Sequence, residues 1–191
     1  MTDQIGRTVS GWTPGVHLNQ EGHEQVRRLA ARLNSVEAAA IYSSPLERAM
    51  ETAAPIALAL NRPVQVCEAF GELQFGEWTG AGMDRLAGEP QWQRFNSFRS
   101  GTAIPGGELM LEVQVRTVRE VQRLGRRHTG ESVIVVSHGD VIRAVIAHYA
   151  GIHLDLIHRF EIAPASLSIL TVEENGARIL LLNDTGEFAV H

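Results

Sequence analysis

Three short segments of this chain carry side chains suited to handling an anion. In the first, Val133-Ile134-Val135-Val136 leads into Ser137-His138-Gly139, and an apolar-periodic stretch (Val141, Ile142, Ala144, Val145, Ile146) follows at once. Four uncharged β-branched residues suit a short strand buried on both faces, and the stretch after them suits a helix. Open α/β sheets bind ligands at the carboxyl ends of their strands, so His138 stands at a favoured position and Gly139 lets a ligand approach the backbone. The second segment, Ser43-Ser44-Pro45-Leu46-Glu47-Arg48-Ala49, is again a strand end feeding a helix. Arg48 falls in the first helical turn, beside N–H groups that favour an anion. A guanidinium there can grip two phosphate oxygens at once, a geometry lysine lacks. The third, Gly71-Glu72-Leu73-Gln74-Phe75-Gly76-Glu77-Trp78-Thr79-Gly80, sets Glu72 in a loop where burial would make it a general acid. Each has a plainer reading: a loop-filling His138, a solvated Arg48 paired with Glu47 or Glu51, and a Glu72 that braces its own loop.

Around these segments helical and strand signals alternate. Asn19 can cap a helix that carries Val26, Leu29, Ala30 and Leu33 on one face. Residues 38–42 make a short apolar strand. Pro45 fits the first turn of the next helix, where its missing N–H costs nothing. That helix carries Leu46, Ala49, Met50, Ala53 and Ala57 and stops before Asn61-Arg62-Pro63. Residues 64–67 read as another strand. The section 68–107 is rich in Gly, Trp and Phe without sustained periodicity, which predicts loops and short helices over an active-site face. A longer helix over about 108–128 leads to the strand before His138. Residues 166–172 and 177–182 predict a closing antiparallel hairpin. The order predicts one domain over 1–191. Its class is α/β, in three layers: a mostly parallel sheet with helices on both faces and an antiparallel C-terminal hairpin.

Composition narrows the function. With 191 residues, 44% apolar content and 20% charged content, the chain suits a single well-cored globular domain. No apolar run approaches the ~20 residues of a membrane helix, and no basic-then-apolar leader opens the chain. Cys67 is the only cysteine, which excludes an intrachain disulfide and a cysteine-based zinc site and suits a reducing cytoplasm. A net charge of -5 argues against nucleic acid as the main partner. It leaves an anionic substrate open, because a local arginine cluster can bind phosphate inside an acidic protein.

Taken together, the motifs resemble a family. Ile41-Tyr42-Ser43-Ser44-Pro45-Leu46-Glu47-Arg48-Ala49, followed by Thr52-Ala53, is similar to the signature around the second arginine of the histidine phosphatase (phosphoglycerate-mutase-like) superfamily. The run 72–80 resembles that family's acid loop, Pro105-Gly106-Gly107-Glu108 the start of its long helix, and Ser137-His138-Gly139 its second histidine. Gly6-Arg7 and Gly11-Trp12 resemble the segment just after its nucleophile, and Asn183-Asp184-Thr185 its C-terminal region. The resemblance covers nearly the whole chain in order. It implies a phosphoglycerate-mutase-like fold and hydrolysis of a phosphomonoester through a phosphohistidine, without metal or cofactor. Arg48, Glu72 and His138 would be catalytic, and Ser10, Gly11, Arg48 and Gly139 would hold the substrate, a small phosphorylated metabolite. Arg48, His138 and the Gly139 N–H would neutralise the transferring group, while Glu72 would protonate the leaving alkoxide and then activate water. A homodimer is one assembly compatible with this reading.

Two departures stand out. The family's first strand ends in Arg-His-Gly or Arg-His-Ala a few residues before a Thr that matches Thr2, and the sequence here opens at Met1-Thr2-Asp3. Arg127-His128 lies in the wrong order relative to Arg48 to replace that pair. The expectation is a chain without its phosphoryl acceptor and first strand; a late-assigned start, an incomplete chain and a true pseudoenzyme are the competing explanations. The family also often carries an Asn just after its nucleophile, where Gln4-Ile5-Gly6 stands here. Either Gln4 substitutes or that contact is missing.

Other chemistries fit less well. Glu72 and Glu108 lie 36 positions apart, whereas the cofactor-dependent mutases of the family carry a much longer insertion there. A short cap favours hydrolysis over phosphoryl transfer by a mutase, with Trp78, Trp92, Phe95 and Phe98 either walling the cap or packing beneath a loop. His23-Glu24 begins like a zinc-hydrolase motif, but position 27 is Arg. His148, His153 and His158 are five apart and share no helical face. Ser43 or Ser44 acting with His138 would lack the Gly-x-Ser-x-Gly elbow. A phospho-ligand binder without turnover is the main alternative.

Overall fold

The side-chain oxygen of Asn19 accepts the Gly22 N–H at 2.8 Å and starts α1, Gln20–Leu33. This computed structural model describes residues 1–186, so the last five residues of the domain assigned from sequence lie outside it. After α1 come β1 (Ala38–Ser43), α2 (Glu47–Leu60) and β2 (Val64–Val66). Single 3-10 turns at Glu68–Phe70 and Gly76–Trp78 precede α3 (Met83–Ala87) and α4 (Pro90–Ser97). The long α5 (Met110–Arg127), β3 (Ser132–Val136) and α6 (Gly139–Ala150) follow. A 3-10 turn at Leu154–Arg159 leads to β4 (Leu167–Glu173) and β5 (Gly176–Asp184). None of the described helices is long and apolar enough to cross a membrane.

The sheet is parallel in the order β2-β1-β3, and β4-β5 form a separate antiparallel hairpin. On one face, Leu29, Ala30 and Leu33 of α1 and Ile56 of α2 bury against Ile41, Ile134 and Val136. On the other, Leu124 of α5 and Phe70 pack against Ala40, Tyr42 and Val133. These two packings give the expected helix–sheet–helix layering.

Two local expectations change. Pro45 lies ahead of α2, whose N-cap is Leu46 in extended conformation (ψ 141°). The proline ring disfavours helical dihedrals at Ser44, so the extended chain continues past β1 before the helix begins. β3 is not buried on both faces. None of its residues is fully buried, and Val135 is 37% exposed. The physical reason is its place at the sheet edge. Ile134 and Val136 of β3 and Leu167 of β4 contact the same α1–α2 cluster, yet no strand pairing joins β3 to β4 among the described residues.

The 68–107 section forms short helices as expected. Phe75, Trp78, Trp92 and Phe95 meet edge-on or tilted, with Trp78–Trp92 centroids 5.2 Å apart. Phe95 is wholly buried and Trp78 nearly so, within the core shared with α5 and α6. Burying rings of this size contributes roughly 2–3 kcal/mol each, so the group is packing under the loop and not an open wall. Phe98 stands apart and is exposed.

Candidate active site

Strand register sets the site. Ser43 of β1 pairs with Val136 of β3, so the residues that follow each strand emerge side by side. The Ser44 N–H donates to the Val136 carbonyl at 3.0 Å, and Ser44 Oγ lies 2.7 Å from His138 Nε2. His138 is the N-cap of α6, Gly139 is that helix's first residue, and Arg48 sits in the first turn of α2. Two helix N-termini thus lie beside one strand end, an arrangement that favours negative charge. Ser137 Oγ donates to the Phe70 carbonyl at 2.7 Å and draws the acid loop onto the same strand end.

The three residues singled out for catalysis come together. Glu72 Oε2 lies 3.9 Å from Arg48 Nη2 and 3.8 Å from His138 Nδ1. Arg48 Nη2 donates to the Gly11 carbonyl at 2.9 Å, while its Nη1 is buried with no hydrogen-bond partner. The plain reading of Arg48 as a solvated helix residue therefore fails. Glu47 accepts the Gly15 N–H and Glu51 accepts the Leu18 N–H, and Glu47 acts on Arg48 only through its charge. Gly11 adopts φ +47°, the left-handed region that glycine enters without strain, and an added Cβ would press on Thr79 Oγ1 at 3.2 Å. Ser10 donates to Gln4 Oε1 at 2.7 Å, which ties the amide oxygen of Gln4 to its own loop.

Glu72 is held from several sides. Its Oε1 accepts the Leu73 N–H at 2.9 Å, and its carbonyl accepts Trp12 Nε1–H at 2.6 Å. Trp12 packs so closely on Gly71 that a Cβ there would collide with the indole. Arg116 of α5 donates to the carbonyls of Ala69 and Glu72 at 2.6 and 3.1 Å and pairs with Glu108 through two nitrogens. Sequence reasoning missed Arg116 and Trp12 as supports. Arg116 looks like any charged helix residue, and only the fold brings it to the acid loop.

Electrostatics separates the two titrating groups. Burial, then the Asp140 carboxylate, pushes Glu72 up to about 7. Burial, then the Arg48 and Arg116 charges, pushes His138 down to about 3. At neutral pH His138 is therefore neutral and Glu72 about half protonated, so their contact is not an ion pair. Asp140 is buried between Arg99 (2.7 Å) and Arg143 (3.2 Å), which hold it below the ordinary carboxylate range against the effect of burial.

A raised carboxyl pKa destabilises the folded chain once the group ionises. Here the penalty is absent below about 4.5, grows as pH rises, and is complete above about 7. Glu72→Gln should then be more stable than the parent at pH 8 by up to about 3 kcal/mol, and nearly equal to it at pH 4.5. Urea titrations at the two pH values check this. A variant less stable at pH 8 would show that the ionised carboxylate is not strained by burial.

The other described histidines have other partners. His17 pairs with Glu51, His128 with Tyr42 and Glu131, and His153 with Asp155. His148 stacks on Tyr149, and the His158 pKa is lowered first by burial, then by Arg99. Among the described residues, no three of His, Cys, Asp and Glu gather as metal ligands. Ser44 does touch His138, but it is wholly buried and its hydroxyl also accepts the Leu46 N–H, so it is not presented to a substrate.

The chain is similar to several known proteins. Phosphoserine phosphatase 1 of Hydrogenobacter thermophilus is 32% identical over 178 residues, 91% of this chain and 84% of that protein. A metal-independent phosphoserine phosphatase of Arabidopsis thaliana is 36% identical over 138 residues, and the match spans 67% of this chain and 56% of that protein. The solved structure of YhfR from Bacillus stearothermophilus superposes with a TM-score of 0.89 at 29% identity, covering 96% of this chain and 92% of that one. The family model of the histidine phosphatase superfamily (branch 1) matches residues 2–185, and the chain belongs to that superfamily.

Proposed function

We propose that this chain provides the phosphate-binding and acid–base groups of a phosphomonoesterase that works through a phosphohistidine, without metal, on a small phosphorylated metabolite. One observation carries the reading. A buried guanidinium nitrogen, Arg48 Nη1, lacks a partner beside a neutral His138 and a half-protonated Glu72. A buried donor of this kind calls for an acceptor, and a phosphoryl oxygen supplies one. Arg48, His138 and the Gly139 N–H would spread the charge of the transferring group, with Ser10 and Gly11 lining the approach. As the nitrogen–phosphorus bond forms and the phosphorus–oxygen bond breaks, Glu72 would pass its proton to the departing alkoxide. It would then take a proton from the water that cleaves the phosphohistidine.

In this reading the acceptor histidine is not among the described residues that meet Glu72. His138 is the histidine that meets Glu72, and its role is to stabilise the phosphoryl group. We place the acceptor at the end of a strand beside β3, whose outer edge is unpaired among the described residues. The short cap, filled by its own aromatic core, supports hydrolysis over mutase chemistry because water keeps access to the intermediate. The names of the relatives support a small phosphomonoester, and the lone unpaired Cys67 suits a reducing cytoplasm.

A phosphate binder without turnover is the second reading, favoured by the absence of another histidine at Glu72 among the described residues. The chain with an apolar strand ending in Arg-His added ahead of Met1, mixed with 32P-labelled phosphoserine and quenched in alkali, separates the two. Acid-labile, base-stable label on the protein is expected. A chain that binds phosphate but takes no label would be a binder.

A further inference from the structure

We propose that Ser44 is a positioning residue that locks His138 in the tautomer bearing its proton on Nδ1, so that the neutral ring donates to the phosphoryl group. The role in catalysis rests on the site proposed above; the tautomer rests on hydrogen-bond accounting alone. Ser44 is wholly buried, and its oxygen accepts the Leu46 N–H at 3.3 Å. Its hydroxyl proton then needs an acceptor, and His138 Nε2 at 2.7 Å stands in place. In the opposite tautomer Nε2–H would donate to an oxygen that already accepts from Leu46. The hydroxyl proton would then be stranded in the interior, and a buried polar group without a partner is costly. Accounting therefore puts the ring proton on Nδ1.

The consequence lies on the other side of the ring. Nδ1 faces Glu72 Oε2 at 3.8 Å, on the side of the site bounded by Arg48. With the proton on Nδ1 the neutral imidazole offers an anion a donor. With the proton on Nε2 it offers a lone pair, which repels a phosphoryl oxygen. Because burial beside Arg48 and Arg116 keeps the ring uncharged, the tautomer decides whether His138 assists or opposes the charge that develops. The neighbouring Ser43 has no such role, since its hydroxyl donates to the Ser44 carbonyl at 2.9 Å.

Nitrogen-15 shifts of the His138 ring at pH 7 in the uniformly labelled 191-residue chain report the tautomer without any turnover. The wild-type chain should show a protonated, pyrrole-like Nδ1 and a bare, pyridine-like Nε2. Ser44→Ala should collapse this toward an averaged or reversed pair of shifts. It should also weaken binding of inorganic phosphate by roughly tenfold. Ser44→Thr, which keeps the hydroxyl, should restore the wild-type shifts. A pyrrole-like Nε2 in the wild-type chain would overturn the proposal, as would unchanged shifts in Ser44→Ala. Failure of the wild-type chain to bind phosphate would count against the proposed phosphatase and leave the tautomer result standing.

Discussion

Residues 1–191 by themselves are expected to release no phosphate from p-nitrophenyl phosphate above the rate in buffer. The same residues with an apolar strand ending in Arg-His added ahead of Met1 should be active. Removing an attacking nucleophile costs on the order of 10^6 in kcat where it acts as one unit with its partners, and that sets the scale of the gap. In the proposed mechanism Arg48, Glu72 and His138 bind and stabilise, and none is the acceptor: the first is a cation, the second is assigned the proton transfers, and the third is a ring whose Nε2 is turned to Ser44. Thermal unfolding gives an independent reading. The added strand should pair with β3, cover Val135 and raise the melting temperature. Changing its histidine to alanine should keep that rise and abolish turnover. Robust hydrolysis by residues 1–191 alone would defeat the assignment of the nucleophile.

Arg48→Ala should lower kcat/KM of the active form by about 10^3–10^4, the scale on which arginine stabilises a transferring phosphoryl group. Arg48→Lys should recover little of it. One nitrogen of the guanidinium holds the Gly11 carbonyl at 2.9 Å while the other is buried with no hydrogen-bond partner. An ammonium is a single point of charge and cannot hold both directions at these separations. Arg48→Ala, unlike Arg48→Lys, also removes a charge that lowers both partners, so the pKa values of Glu72 and His138 should rise together in that variant. The acid limb of the pH profile should move upward with them. If Arg48→Lys retains activity within threefold, Arg48 acts as charge alone and the two-directional role is wrong.

The chemistry was legible where motif and strand end coincide. Ser43 to Ala49 and Ser137 to Gly139 each read as a strand feeding a helix, and the parallel register of β1 and β3 brings them together. Glu72 was legible as a loop carboxyl whose pKa burial would raise, because aromatic and glycine residues surround it. The supports were not. Arg116 lies 44 residues beyond the carbonyl it holds, and Trp12 lies 60 residues before it. Such contacts depend on packing, which leaves no periodic trace. The reading of β3 as doubly buried failed for a related reason. β-branched residues report what a strand is built to face, whereas exposure depends on which neighbours are present. The aromatic group of the cap was legible as a cluster, but composition alone could not separate a wall from a core.

The open side of β3 has one more consequence. Among the described residues no strand pairs with the outer edge of Ser-Val-Ile-Val-Val, and an edge with neither charge nor proline to blunt it is a template for any extended backbone. Natural sheets guard such margins against self-association, and this one carries no guard of its own. Without a strand to close it, the segment that identifies the chemistry is also the one most prone to join two molecules.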